Sequence, residues 1–431
     1  MIIQNVKGGY DFLPKEQKVR NFINDTLRET FEEYGYNPIE TPILCYYDML
    51  SDKYDEGNDI LKEIYKLTDQ GGRSLGLRYD LTVPFAKFIA LNKNKITLPF
   101  KRYEINKVFR DGPVKLGRDR EFTQCDVDVV GLSGQMIEAE LMNLYVDGFK
   151  KLGIDIILKY NSRKLMSGII KECGVADDLL APVTTVIDKL NKISSQEFAT
   201  DLICLGLEQK DIDFIERCFK MDLNDLKIKF ENTENTLIKE GLEELETLTD
   251  YITKLGIVDV CLFSPTLARG QNYYTGNVFE VYDKEKRLDG SIGGGGRYDN
   301  MVTEFIDDGN VYPAVGISFG LSSIYEILKD DPKFASRSLT DIYIIPIDTT
   351  VDSLKLARNL RELGYKVEIE MQGKKVGKSL DFANRNKIPY VIILGSSEVE
   401  AGKFKLKNMF ENTETEVDIS NLKCINEIIK K

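Results

Sequence analysis

FKRYEINKVFRDGPVKLGRDREFTQCDVDVVG, residues Phe100 to Gly131, is the stretch on which the fold turns. Tyr103 and Ile105 alternate with polar neighbours, which is the period of a strand. Asp111-Gly112-Pro113 then breaks the run. From Gln124 to Val130 the alternation is strict. Gln124, Asp126 and Asp128 fall on one face, and Cys125, Val127 and Val129 on the other. The stretch reads as two strands joined by a long loop, with its apolar side packed down. The other side carries two carboxylates and an amide. Arg110 ends the first strand, and Lys115, Arg118 and Arg120 lie in the loop. Acids beside a ring of arginines suit a ligand with a cationic and an anionic end, such as an amino acid being joined to a phosphate. A solvated sheet face carries the same residue types. The length of the loop and the one-sided acids weigh against that, because long loops in compact domains are often functional.

Upstream, Pro14 opens a helical pattern in which Val19, Phe22, Ile23, Leu27, Phe31 and Tyr34 recur, and Gly35 ends it. Tyr36 to Leu44, with Pro38 and Pro42, reads as an edge strand or a subunit contact. Ile64–Leu67 and Leu75–Leu77 read as short strands around the turn Asp69-Gln70-Gly71-Gly72. Thr82 and Pro84 start a helix, so Asp80 lies beside its N-terminus, where capping is the commoner use of an aspartate.

Downstream, Met136–Leu152 is an amphipathic helix, and from about Leu165 to Lys254 the text is helical and charged. Strand patterning returns at Val258. LARGQNYYTG (Leu267–Gly276) leads into the alternating Val278–Tyr282. Gly293–Gly296 precede Arg297-Tyr298-Asp299, and four consecutive glycines let backbone come close to a ligand. They lack the order of a dinucleotide or phosphate-binding loop. Ala314–Leu321 is a strand running into a helix. Past a polar linker with Pro332, strands Ile342–Ile345, Lys366–Glu370 and Tyr390–Leu394 alternate with helices Val351–Leu363 and Val376–Asn386, a small, mostly parallel α/β domain. Lys374, Lys375, Lys378, Arg385 and Lys387 cluster on and before its second helix. They read equally as an RNA footprint or a solvated face.

The 431 residues exceed one core, so two or three domains are expected. With 42% hydrophobic and 30% charged residues, the composition is that of a soluble globular protein. No apolar run approaches the roughly 20 residues of a membrane span, and the start lacks the order of a signal peptide. The seven cysteines include no CxxC, so neither a zinc ribbon nor a disulfide framework is indicated, and a reducing cytoplasm is the expected location. A net charge of −12 argues against generic nucleic-acid coating but leaves room for a local basic patch. The histidine count is zero, which removes a histidine base, a His-containing triad and a His-ligated metal. Chemistry must rest on Arg, Asp, Glu, Gln and Tyr, which act best by positioning and charge stabilisation.

Together these motifs resemble the histidyl-tRNA synthetases, a class II aminoacyl-tRNA synthetase family, over nearly the whole chain. LRYDLTVPF (Leu77–Phe85) is similar to the family's histidine-site segment. FKRYEINKVFR with GRDREFTQCDVDVVG resembles the second class II motif, and LARGQNYYTG the RGLDYYTG signature. GGGGRYD resembles the amino-acid pocket lining, and GKKVGKSLDFANRNKIPYVIILG the anticodon-binding domain. The resemblance implies an α+β fold: a class II synthetase-type antiparallel sheet flanked by helices, with a helical insertion and a C-terminal α/β anticodon-binding-type domain. The expected boundaries are 1–164 and 255–328 for the catalytic domain, 165–254 for the insertion, 329–340 for a linker and 341–431 for the last domain.

The implied reaction is ATP plus histidine to histidyl-adenylate, then transfer to the 3′ end of tRNA(His). Arg110 and Arg269 would flank the α-phosphate. Asp80, Thr82 and Gln124 would take the ammonium, Asp128 and Tyr274 the imidazole, and Tyr273 would help build the pocket. Mg²⁺ would come bound to ATP, with no protein metal site. Arg118 and Lys115 would face ATP and the tRNA acceptor end, with Lys374 and Lys378 on tRNA, in a homodimer. Three positions depart from the family. Gly112 stands where an acidic residue is usual, Asn272 replaces the signature aspartate, and Ser323 replaces the arginine that ends the third motif. The competing readings are a catalytically inactive paralogue, like the regulatory subunit of ATP phosphoribosyltransferase, and a sensor of uncharged tRNA.

Overall fold

The computed structural model describes residues 3–51, 59–190, 193–269, 273–335 and 338–429. The chain divides into two compact units, Met1–Lys329 and Asp330–Lys431.

In the first unit the strands are β1 (Asn37–Pro38), β2 (Leu44–Tyr46), β3 (Lys66–Thr68), β4 (Ser74–Leu77), β5 (Phe100–Phe109), β6 (Glu121–Val130), β7 (Ile156–Ser162), β8 (Cys261–Phe263), β9 (Asn277–Asp283), β10 (Gly293–Arg297) and β11 (Ala314–Gly320). The helices are α1 (Pro14–Glu33), α2 (Tyr47–Ser51), α3 (Asp59–Glu63), α4 (Thr82–Asn92), α5 (Gln135–Leu152), α6 (Arg163–Lys171), α7 (Leu180–Ile187), α8 (Ser195–Cys204), α9 (Gln209–Cys218), α10 (Leu223–Lys229), α11 (Thr236–Lys254), α12 (Asp299–Ile306) and α13 (Leu321–Leu328). The main sheet runs β1-β5-β6-β11-β10-β9-β7-β8, antiparallel except at its two edge pairings, and β2-β4-β3 form a small second sheet.

The hairpin expected at Phe100–Gly131 forms as β5 and β6, with Ile105 opposite Cys125 and Asn106 opposite Gln124. Cys125, Val127 and Val129 are fully buried, as their period requires. Helices α1 and α5 cover that face. Phe31 of α1 and Tyr145 and Phe149 of α5 pack on Phe319 of β11 at ring separations of 5.6, 4.8 and 5.0 Å. Each large side chain buried this way contributes about 1.5–3 kcal/mol. Pro14 stands at the start of α1, and Gly35, at φ +75°, turns the chain out of it. With one face of the sheet given to these helices, the opposite face is free for polar side chains.

Two points differ from the sequence reading. The strand expected from Ile64 starts at Lys66, because Ile64 packs into the core beside Leu50 and Ile60. The polar linker after Leu328 carries a short helix, α14 (Pro332–Ala335).

The second unit contains β12 (Ile342–Pro346), β13 (Val367–Ile369), β14 (Tyr390–Leu394), β15 (Lys403–Asn408) and β16 (Thr413–Asp418), in the order β13-β12-β14-β15-β16. Its helices are α15 (Thr350–Glu362), α16 (Val376–Arg385), α17 (Ser396–Ala401) and α18 (Ile425–Ile428). β12 pairs in parallel with β13 and β14, but β14-β15-β16 are antiparallel, so the sheet is mixed rather than mostly parallel. Among the described residues no helix is long and apolar enough to cross a membrane.

Candidate active site

The free face of the main sheet is polar in register. Across β5, β6 and β11 it carries Arg102, Asp128 and Gly316 in one row and Glu104, Asp126 and Ser318 in the next, with Asn106, Gln124 and Gly320 in the third. β10 adds Gly296 opposite Gly316 and Gly294 opposite Ser318, and Glu280 of β9 faces Gly294. The middle of this floor therefore has no bulk. Larger groups from the rim fill it: a Cβ on Gly294 would stand 2.5 Å from Arg269 Nη1, one on Gly296 2.8 Å from the Tyr274 ring, and one on Gly316 1.8 Å from Asp128 Oδ1. The sequence reading gave the glycines to a close-lying ligand. In the structure they first make room for the protein's own arginine, tyrosine and aspartate.

Two adjoining cavities lie over this floor, of about 730 and 510 Å³. Arg110, Arg118, Gln124 and Arg269 line both. The smaller is closed by Asp80, Thr82, Asp128, Tyr273 and Tyr274, and the larger by Lys115 and Phe122 of the hairpin together with Ser323. Four polar atoms in the smaller cavity are buried with neither a hydrogen-bond nor an ion-pair partner among the described residues: Asp80 Oδ2, Gln124 Oε1, Asp126 Oδ1 and Arg269 Nε. Buried polar atoms are ordinarily paired, so a cluster left open marks a place for a ligand. Three of these are acceptors, fit for a cation, and one is a guanidinium donor.

The remaining atoms of these groups are held. Asp80 Oδ1 accepts the Val83 N–H at 3.0 Å, so the capping role expected of it is present while its second oxygen stays free. Gln124 Nε2 donates to Ser318 Oγ at 3.1 Å. Arg269, at φ +60°, donates from Nη1 to Glu280 Oε1 at 3.0 Å. Arg110 donates from Nε to the Tyr79 carbonyl at 3.2 Å, its guanidinium lying 4.1 Å over the Tyr79 ring and 5.0 Å over Phe122. Such stacking keeps a guanidinium flat and in place. Asp128 is fully engaged, through Arg102 Nη2 at 2.6 Å and the Tyr298 hydroxyl.

Burial raises the pKa of Asp80, Asp126 and Asp128 above the ordinary carboxylate value. Arg102 pulls the last two back down, and the Asp128 charge pushes Asp126 further up. The Arg269 guanidinium is held charged: burial works against it, and Tyr274 and Glu280 outweigh that.

The histidyl-tRNA synthetase family model matches residues 8–324, and the anticodon binding domain model matches residues 341–430. A protein of Bacillus cereus named histidine–tRNA ligase 1 is 45% identical over 427 residues, covering 98% of this chain and 99% of the relative. Histidine–tRNA ligase 2 of Shouchella clausii is 42% identical, covering 97% and 98%. The crystal structure of histidyl-tRNA synthetase from a Nostoc species superposes with a TM-score of 0.86 at 28% identity over the full length of both chains. The chain belongs to the histidyl-tRNA synthetase family. It is accordingly an aminoacyl-tRNA ligase of α+β fold, in a family that uses ATP.

The histidyl-tRNA synthetase motifs converge on the cavities. Arg110, Arg118, Arg269, Asp80, Thr82, Gln124, Asp128, Tyr273 and Tyr274, which the sequence singled out, all line the smaller one, and Lys115 lines the larger. Lys374 and Lys378 are exposed in the second unit, outside both. The departure at Asn272 lies outside the described residues. Ser323 donates from Oγ to the Gly117 carbonyl at 3.4 Å, tying the hairpin loop to the start of α13. Gly112 faces the Glu63 carboxylate, 2.8 Å from where its Cβ would stand.

Sequence reasoning missed Arg102, Glu104 and Glu280. Arg102 and Glu104 alternate with Tyr103 and Ile105, and Glu280 with Phe279 and Val281, so the signal was present. It also missed Arg78, whose Nη1 meets Glu104 Oε1 at 3.1 Å, and Tyr298. Glu63 carried no pattern at all.

Proposed function

We propose that this chain joins histidine to tRNA(His) in two steps, adenylation followed by transfer, with the following division of labour. Arg110 and Arg269 take oxygens of the ATP α-phosphate from opposite sides. Their guanidiniums, held by stacking and by Glu280, meet the charge that builds on phosphorus. Asp80 Oδ2 and Gln124 Oε1, with Thr82, receive the histidine ammonium. Asp126 Oδ1 adds a third acceptor. The imidazole lies against Tyr274 and the Asp128–Tyr298 pair, with Tyr273 walling the pocket. ATP occupies the larger cavity beside Phe122, Lys115 and Arg118, and Mg²⁺ arrives with its phosphates. Lys115 and Arg118 also meet the acceptor end of tRNA, and Lys374 and Lys378 its anticodon arm. The enzyme acts as a homodimer in the cytoplasm.

The observation that carries this reading is the convergence of three unpartnered buried acceptors and one buried guanidinium donor in a single cavity. It fits an amino acid whose ammonium and activated carboxyl must be held at once, and it explains how a chain without histidine does this chemistry by placement and charge. Histidine-dependent ATP–pyrophosphate exchange tests it. The wild-type protein exchanges. Arg269→Ala loses at least about 100-fold in rate with an unchanged circular dichroism spectrum. Histidine binding without any exchange in the wild type would turn the reading to a regulatory paralogue.

A further inference from the structure

Glu63 ends α3, remote in sequence from the second-motif hairpin, yet it meets that hairpin at Asp111, Gly112 and Arg118 and reaches Arg110 through Tyr79. The Tyr79 hydroxyl donates to Glu63 Oε2 at 3.1 Å, and the Tyr79 ring is the plate on which the Arg110 guanidinium lies at 4.1 Å. Arg118 Nη2 stands 3.9 Å from Glu63 Oε1. The Asp111 N–H donates to the Glu63 carbonyl at 2.8 Å, fixing α3 to the residue that follows Arg110. Glu63 Oε1 is 2.8 Å from the place a Gly112 Cβ would take, so any side chain at residue 112 would push the end of Glu63 aside. The carboxylate is mostly covered, at 18% side-chain exposure, and lines the smaller cavity between Tyr79 and Arg118.

We propose that Glu63 is the positioning carboxylate for Arg110 and Arg118, and that glycine at residue 112 leaves the Glu63 carboxylate in that place undisturbed. The inference rests on the adenylation reading above. Glu63 does not touch the reacting atoms. It fixes the Tyr79 ring through the hydroxyl, and with it the plane of Arg110. By charge it draws Arg118 toward the cavity. A side chain at residue 112 and a carboxylate at residue 63 compete for one volume, so the hairpin carries no acid of its own there and α3 supplies it. Gly112 does not lie in the left-handed region, so its lack of a side chain answers to space rather than to backbone conformation.

Histidine-dependent exchange with ATP and histidine varied separately, together with a thermal melt, tests this. Displacing a catalytic group by about 1 Å costs about 100-fold in rate. Glu63→Ala is accordingly expected to lower kcat/KM for ATP by about 30- to 100-fold. The KM for histidine stays within about twofold and the melting temperature within a few degrees. Glu63→Gln keeps an acceptor for Tyr79 but loses the charge on Arg118, and falls between, about tenfold down. Adding Gly112→Asp to Glu63→Ala puts a carboxylate back into the vacated space from the other side and is expected to restore ATP kinetics to within about fivefold of wild type.

Wild-type ATP kinetics in Glu63→Ala overturn the positioning role while leaving the adenylation reading intact. A double variant no better than Glu63→Ala overturns the shared-space argument. A fall in stability that accounts for the lost activity overturns the role in favour of a structural one. Absence of exchange in the wild type itself overturns the adenylation reading, and this inference with it.

Discussion

Asp126 sits on β6 between Gln124 and Asp128, its Oδ1 open to the cavity and its side chain almost wholly buried. Burial, with the Asp128 charge beside it, raises its pKa against the pull of Arg102. A carboxyl with a raised folded pKa keeps, in the fold, a proton that it releases on unfolding. Its contribution to stability therefore falls as pH rises from its ordinary value of 3.8 toward the raised one. Asp126→Asn has no such term. The melting temperature of Asp126→Asn relative to wild type, measured without ligand by calorimetry, is expected to grow steadily from pH 5 to pH 8. A constant difference across that range would refute the shifted titration. At this scale the sequence was informative wherever period decides facing: Gln124, Asp126 and Asp128 were placed together by alternation, with Arg110 at the end of the neighbouring strand. Glu63 was beyond its reach, because nothing local in α3 signals that the helix ends against Tyr79 and Gly112. Nor did alternation show that Asp128 is spent on Arg102 and Tyr298, since partners on other strands follow from register and tertiary packing.

Among the elements, β10 is the one whose composition and place are hardest to separate. Its four glycines lie in the interior of the sheet, where glycine ordinarily weakens a strand. They answer to different neighbours. A Cβ on Gly295 would come within 2.1 Å of the Gly316 carbonyl oxygen on β11, which is backbone and cannot yield. A Cβ on Gly294 meets the end of the Arg269 side chain, which can. Gly295→Ala is therefore expected to destabilise the sheet by several kcal/mol and to yield little soluble protein. Gly294→Ala is expected to fold normally and to lose about 100-fold or more in exchange, as Arg269 is driven off the cavity. Equal solubility of the two, or full activity of Gly294→Ala, would contradict the assignment. The strand itself was legible, but the reason for its glycines was not, because the groups they admit come from Arg269 and Tyr274, some 20 residues earlier. The hairpin β15–β16 was left out of the sequence reading altogether. It alternates Phe404 and Leu406, buried, with lysines that pair across to glutamates, Lys403 to Glu416 at 2.7 Å, so one face is apolar and the other wholly charged.

At the scale of the molecule, each of the two units carries its own core, the first around Phe85, Val130 and Tyr298 and the second around Ile344, Leu360 and Phe404. The cavities and their arginines lie wholly in the first. A chain ending at Lys329 is therefore expected to keep histidine-dependent exchange within about fivefold and to lose most of its ability to charge tRNA, as read by aminoacylation of a tRNA transcript. Undiminished charging would deny the second unit a part in tRNA binding.

The order of the main sheet also has a consequence in time. The central neighbour of β6 is β11, which lies about 190 residues further along the chain, beyond β7 and helices α6 to α11. At about 5–20 residues per second, a ribosome takes about 10–40 s to make that length. For that interval β6 has no partner on the side that β11 takes in the finished sheet. Charged side chains along an edge are among the features that discourage pairing with a wrong strand, and this edge carries Asp126 and Asp128. The acids that line the cavity of the finished fold thus also charge the edge of the unfinished one while it waits for its partner strand.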